Sequence, residues 1–331
     1  MIGSSEVPFR AGFEHADTSD IEFDDKTRQF KLVCLHKYSV WIGGVVSLVD
    51  KDLTVNIPDS SGLFAIVLTK DLRLQVNTPK FAMSNDWIFV VHLYWNSVQQ
   101  KCLILADERH KICLDIATHA YLHSVFGAQY MNGFDIGNYD LSGDKNLNSS
   151  CTFTLTGGEY ADEDIYFTVT RSPIKVPYHQ DLAIIDSLAS GKSWWYCQLP
   201  VFYLIGEDKI WFCWETLSPV PFIVVEGVPQ INGWSKESSW HLMPAPKDTY
   251  FPVFVVATAN KQFPVLALTA QKWYISKSLA LQQNEAASLR SVGLWFDQEV
   301  VFLYRLLYRC SPGCGNEFGA YLVQVTDLRR R

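Results

Sequence analysis

Residues 107–123 read DERHKICLDIATHAYLH, which places three of the chain's eight histidines and three carboxylates in one short stretch. If residues 115–126 are helical, Asp115, His119 and His123 recur every fourth position and stack along one face. Two imidazoles so spaced can share a divalent metal, and Glu108 or His110 could add ligands from the preceding strand end. The HxxxH spacing, however, lacks the glutamate that zincin metalloproteases carry directly after the first histidine; Ala120 stands there. Asp115 also suits a helix N-cap. The set Asp107, Glu108, His110, Asp115, His119 and His123 is therefore read first as a structural polar network and second as an ion site. No cofactor is expected.

A second group of carboxylates, Glu159, Asp162, Glu163 and Asp164, could supply an acid and a base for glycoside cleavage, as could Asp107 with Glu108. Both groups stand beside turns, where acidic side chains ordinarily bind nearby backbone N–H groups or water. No phosphate-binding glycine loop, GxSxG elbow or CxxC pair is evident. The CSPGC segment at 310–314 reads as a Pro-Gly turn carrying two thiols. Tryptophans 194, 195, 211, 214, 234 and 240 crowd one part of the C-terminal half. Trp194, Trp195, Trp211, Trp214, Trp234 and Trp240 could stack on sugar rings, but core and subunit-interface packing is the preferred reading.

The elements that must position these groups are mostly strands. From Phe30 onward come FKLVCLH, YSVWIGG, VVSLV, LTVNI, GLFAIVLT, LRLQVN, WIFVVHLYW and KCLILA, parted by turn signals such as DKD and PDSSG. Their spacing of about ten residues predicts an antiparallel β-sandwich or jelly-roll-like domain over 30–180. One short helix, closed by Gly127, interrupts it. Residues 181–193 read as a linker, and 194–331 as a second β-rich domain with one helix near 277–292, capped by Ser276 and stopped by Gly293. The polar, acidic residues 1–29 are expected to form a docking arm ordered by a partner.

Composition narrows the function classes. A net charge of −7 with scattered Lys and Arg argues against a nucleic-acid surface. No run approaches the roughly eighteen apolar residues of a membrane helix, so no membrane insertion is expected. No secretory signal is visible at the N-terminus. The eight cysteines lie mostly in apolar runs and are read as reduced. An aromatic share of 14% with eleven Trp suggests wide contact surfaces and hence assembly.

Four ordered segments resemble a family of tail-fibre and related virion structural proteins of tailed bacteriophages. DERH, Asp115, THAYLH and GAQYMNGF are similar to that family's ERHG, MD, TH, LH and G-x-x-Y-x-x-G run, with Lys111 where a Gly is usual. GEYADEDIYFTV at 158–169 is similar to its G-x-x-x-DEDI strand entry, and LPVFYLIGEDKIWF at 199–212 to its P-V-x-Y hairpin. The stretch ATANKQFPVLALTAQKWYIS with the terminal TDLR resembles its ATN, P, GQ-x-x-Y, D-W-R ending, with Thr269-Ala270-Gln271 where Gly-Gln is more usual. The resemblance implies a non-enzymatic part of a tail fibre, baseplate or neck that holds the host-adhesion apparatus. It further implies a homotrimer, other tail proteins as partners, assembly in the host cytoplasm, residence in the virion, and no catalytic residues. Two rivals are a receptor-binding protein that holds host surface glycan on the Trp-rich half and an envelope polysaccharide depolymerase built on the 159–164 carboxylates.

Overall fold

The computed structural model describes residues 10–77, 84–111, 116–125, 127–169, 183–185, 194–196, 199–214, 218–235, 239–282 and 300–329. The chain is mainly β, with multiple antiparallel sheets, as the alternating and apolar runs predict. It divides into two units, and the division is not simply sequential. Unit 1 contains residues 1–128 together with two short returns of the chain, 161–166 and 259–261; unit 2 contains the remainder.

In unit 1, β1 (Gly12–Phe13), β2 (Ser19–Asp24), β3 (Gln29–Cys34), β4 (Tyr38–Ile42), β5 (Val45–Val49) and β6 (Leu53–Asn56) are followed by longer strands. These are β7 (Gly62–Thr69), β8 (Leu74–Asn77), β9 (Trp87–Asn96) and β10 (Lys101–Asp107), after which the chain enters α1 (Ile116–Val125). Three sheets result, ordered β1-β4-β5, β2-β3-β6 and β10-β9-β7-β8. Strands β3 and β4 alternate buried and partly exposed residues, the signature of a sheet with one covered face. Strand β9 is buried almost throughout because β7 and β10 flank it and both its faces are covered.

The β4–β5 hairpin turns on Gly43 and Gly44, with φ of 58° and 78°, the paired left-handed conformation that a two-residue turn demands. A Cβ on Gly43 would come within 2.4 Å of the Asn85 carbonyl oxygen, so no other residue fits. Phe13, Ile21, Phe30, Tyr38 and Trp95 pack into one core, each contributing roughly 1.5–3 kcal/mol by leaving water. The expected docking arm is thus corrected for residues 10–29. They form β1, β2 and the start of β3, and Phe13 and Ile21 are wholly buried. Residues 1–9 lie outside the described residues.

The later strands lie mostly in unit 2, apart from the 161–166 ends of β14 and β15: β11 (Ala128–Gly133), β12 (Ile136–Gly137), β13 (Thr154–Leu155), β14 (Gly158–Asp162), β15 (Ile165–Val169), β16 (Ala183–Ile185) and β17 (Trp194–Tyr196). Next come β18 (Val201–Ile205), β19 (Ile210–Trp214), β20 (Val224–Val225), β21 (Val228–Trp234) and β22 (Trp240–Pro244). The chain ends with β23 (Tyr250–Thr258), β24 (Val265–Leu268), α2 (Lys277–Gln282), β25 (Val300–Cys310) and β26 (Ala320–Asp327). Its largest sheet runs β19-β18-β24-β23-β25-β26, antiparallel except for the β18–β24 pair. Phe222, Phe251 and Tyr308 pack together in its core, and the Tyr308 hydroxyl donates to the Cys151 carbonyl at 3.1 Å.

Two expected boundaries are corrected. Residues 128–160 and 167–169 belong to unit 2 rather than to a first domain reaching 180, apart from Ala128 itself, which closes the first stretch of unit 1. The expected linker is interrupted by β16, which pairs antiparallel with β17; residues 186–193 lie outside the described residues. Helix α2 starts where Ser276 predicts, with the Ser276 hydroxyl accepting the Leu279 N–H at 3.3 Å, while 283–299 and the expected stop at Gly293 lie outside the described residues. Helix α1 ends at a left-handed Gly127, φ 53°, whose N–H reaches the Leu122 carbonyl.

Candidate functional site: a buried histidine–carboxylate cluster

Strand β10 ends at Asp107, and Glu108-Arg109-His110 follow in a tight turn closed by the His110 N–H on the Glu108 carbonyl at 2.9 Å. Asp107 and Arg109 turn one way. The Arg109 guanidinium grips Asp107 with two bonds of 2.8 and 2.6 Å, and its remaining nitrogen donates to the Ala16 carbonyl at 3.0 Å and the Ser19 hydroxyl at 2.6 Å. Both side chains are buried, so this fork ties the start of β2 to the end of β10.

Glu108 and His110 turn the other way. Glu108 Oε1 lies 2.9 Å from Nδ1 of His92 in the middle of β9, and Oε2 lies 3.8 Å from His110 Nε2. On its other edge, His110 Nδ1 lies 2.6 Å from Asp164 Oδ1 and 3.6 Å from Glu163 Oε2. The second oxygen of Asp164 accepts the Lys111 N–H at 2.5 Å. Asp162, the last residue of β14, is 0% exposed. The β14–β15 turn therefore brings three consecutive carboxylates to the DERH segment. Glu163 is held there at φ 50°, a left-handed conformation that costs a non-glycine residue about 1–3 kcal/mol.

A third segment closes the arrangement. Asn260 is wholly buried; its side-chain oxygen accepts the Leu105 N–H at 3.1 Å and its amide donates to the Leu103 carbonyl at 3.0 Å. The next residue, Lys261, donates from its backbone to the Leu105 carbonyl and from Nζ to Asp20 at 2.5 Å. DERH, ADED and Ala259–Lys261, parted by about fifty and a further hundred residues, thus belong to one unit.

Electrostatics follow from this crowding. Burial raises Asp162 to about 8, helped by the charges of Glu108, Glu163 and Asp164 and opposed by His110. Burial likewise raises Glu163 to about 7, against the pull of His110. For His110 burial opposes the charged form, but the hydrogen bonds to Asp164 and Glu108 overcome it and hold the imidazole well above its usual range. The cluster therefore stores protons that an isolated carboxylate would shed at neutral pH.

Of the residues singled out in the sequence, Asp107, Glu108 and His110 are brought together, and Asp162, Glu163 and Asp164 join Glu108 and His110. Asp115 and the side chains of His119 and His123 lie outside the described residues, although the backbone of 119 and 123 is helical as expected. Sequence reasoning missed His92, Arg109, Asn260 and Lys261. For His92 a signal existed: one imidazole inside the run WIFVVHLYW has to find a buried partner.

The tryptophans do not form one surface. Trp211 and Trp240 are buried and Trp214 is partly so, whereas Trp234 is 49% exposed and meets Trp240 edge to face at 5.5 Å. The side chains of Trp194 and Trp195 lie outside the described residues. Described cysteines are free thiols, and burial pushes Cys151 and Cys310 up to about 12. Among the described residues no helix is long and apolar enough to cross a membrane.

Comparison of the chain with protein-family models, curated proteins and solved structures gave no match.

Proposed function

We propose that the chain is a non-enzymatic structural component of a bacteriophage tail, a fibre, baseplate or neck part that assembles as an oligomer and holds the host-adhesion apparatus. The observation that carries this reading is the use made of the segments that resemble the virion family. Asp107 with Arg109, Asp164 with His110, and Asn260 and Lys261 spend polar groups on neighbouring side chains and backbone within one unit. A brace needs such closure; a depolymerase needs the opposite. The carboxylates it would use at 162–164 have less than a tenth of their side chains exposed.

Assembly has its own support. Strand β5 ends the β1-β4-β5 sheet and exposes Val45, Val46 and Leu48 by 50–60%. An apolar edge strand of that kind favours pairing with another chain over solitary life in water. A homotrimer is the form the family resemblance favours, with other tail proteins as further partners.

The test has two arms. Light scattering behind size exclusion should give a multiple of the chain mass, and mass spectrometry of purified particles should find the chain. A strict monomer at high concentration that is also absent from particles ends this reading. Of the six tryptophans considered for glycan, Trp234 is the exposed one among those whose side chains are described; a glycan array that binds the native chain but not Trp234→Ala would favour that reading.

A further inference from the structure

Among the described residues, the buried cluster holds more carboxylates than imidazoles. Glu108, Asp162, Glu163 and Asp164 are four carboxylates in or beside one enclosed space, against two imidazoles, His92 and His110. Asp162 is the decisive residue: wholly buried, next in the chain to Glu163 and Asp164, with neither carboxylate oxygen hydrogen-bonded among the described residues. A buried carboxylate without donors needs a cation or a proton.

We propose that His110, Glu163 and Asp164, with Asp162 beside them, form a binding site for one divalent cation of the zinc or manganese class. One donor atom from each of His110, Glu163 and Asp164 lies within 4.8 Å of the others. Around an ion with bonds of about 2.1 Å, neighbouring donors stand about 3–3.5 Å apart. The 3.6 Å between His110 Nδ1 and Glu163 Oε2 meets that directly. Asp164 Oδ1, at 2.6 Å from the same nitrogen, has to retreat slightly as its hydrogen bond becomes a shared metal. Nδ1 gives its proton to solvent on binding, and its lone pair then faces the ion.

Glu108 stands on the far side of the His110 ring, its Oε2 3.8 Å from Nε2 and its Oε1 2.9 Å from His92, the side from which a carboxylate orients a ligating histidine. The Lys111 N–H fixes the second oxygen of Asp164. One nitrogen and several carboxylate oxygens suit zinc or manganese better than calcium, which takes oxygen alone, or copper(I), which prefers sulfur.

The site is independent of the tail reading and is tested apart from it, on the purified full chain. The chain is stripped with chelator, equilibrated with Zn²⁺ or Mn²⁺ and desalted, then measured by elemental analysis and thermal unfolding. The expected result is about one ion per chain and a higher unfolding temperature with the ion than without it, since a ligand of the native state stabilises it. Glu163→Gln and Asp164→Asn should bind at least roughly tenfold more weakly. Glu159→Gln, in the same hairpin but bonded to Asn132, should bind like the parent. Binding to the folded parent chain does not depend on whether any variant folds. A native chain that retains neither ion and shows no unfolding shift with either overturns the proposal, as does Glu163→Gln binding as tightly as the parent.

Discussion

Each unit of the molecule contains an Asp-x-Arg fork at the end of a strand, and the two forks differ mainly in how much water reaches them. In unit 1, Arg109 grips Asp107 beyond β10, with both side chains under a tenth exposed. In unit 2, Arg329 grips Asp327 beyond β26 through bonds of 3.0 and 2.7 Å, and its third nitrogen reaches the Gly133 carbonyl and Asp135. Arg329 also lies over the Tyr130 and Tyr304 rings, but Asp327 is 52% exposed. The local geometry is the same. The burial of the aspartate differs most, and burial decides whether a lost partner leaves a stranded charge or one that water can solvate.

The largest expected effect is at the buried fork. Arg109→Ala leaves Asp107 charged and enclosed and strips donors from Ala16 and Ser19, so denaturant unfolding should show a loss of about 3–5 kcal/mol. A loss under about 1 kcal/mol would show that the two forks are equivalent after all. Arg329→Ala should cost about 1–2 kcal/mol, mostly from the hydrogen bonds to carbonyls and the packing of its stem on aromatic rings. The smallest effect sharpens the same contrast. Raising salt from low ionic strength to about 1 M shortens the screening length to about 3 Å. It should shrink the Arg329 loss measurably and leave the Arg109 loss nearly unchanged.

Much of the architecture was legible in the sequence because its causes are local. Alternation in FKLVCLH and YSVWI reports a half-covered sheet, Gly43-Gly44 reports a tight hairpin, and Ser276 and Gly127 mark helix ends that the structure contains. The first residues misled for an equally local reason: DTSDIEFDD looks like a solvated tail by composition, yet its alternation places Ile21 inward while Asp20 and Glu22 face outward. The carboxylates at 162–164 were legible as a turn but not as partners of His110. Turn chemistry alone says nothing about what a turn packs against.

Residue types and periods alone determined that this chain is β-rich, that most of its described thiols lie in apolar strands and that DERH would be a polar focus. The tertiary structure decided that His92, His110, Asp162–Asp164 and Asn260 share unit 1. It also decided that one Asp-x-Arg fork is buried while its twin meets water. The physical reason is that strand pairing and core packing join segments far apart in sequence, and the desolvation that gives a charge its energetic weight arises only once they are joined.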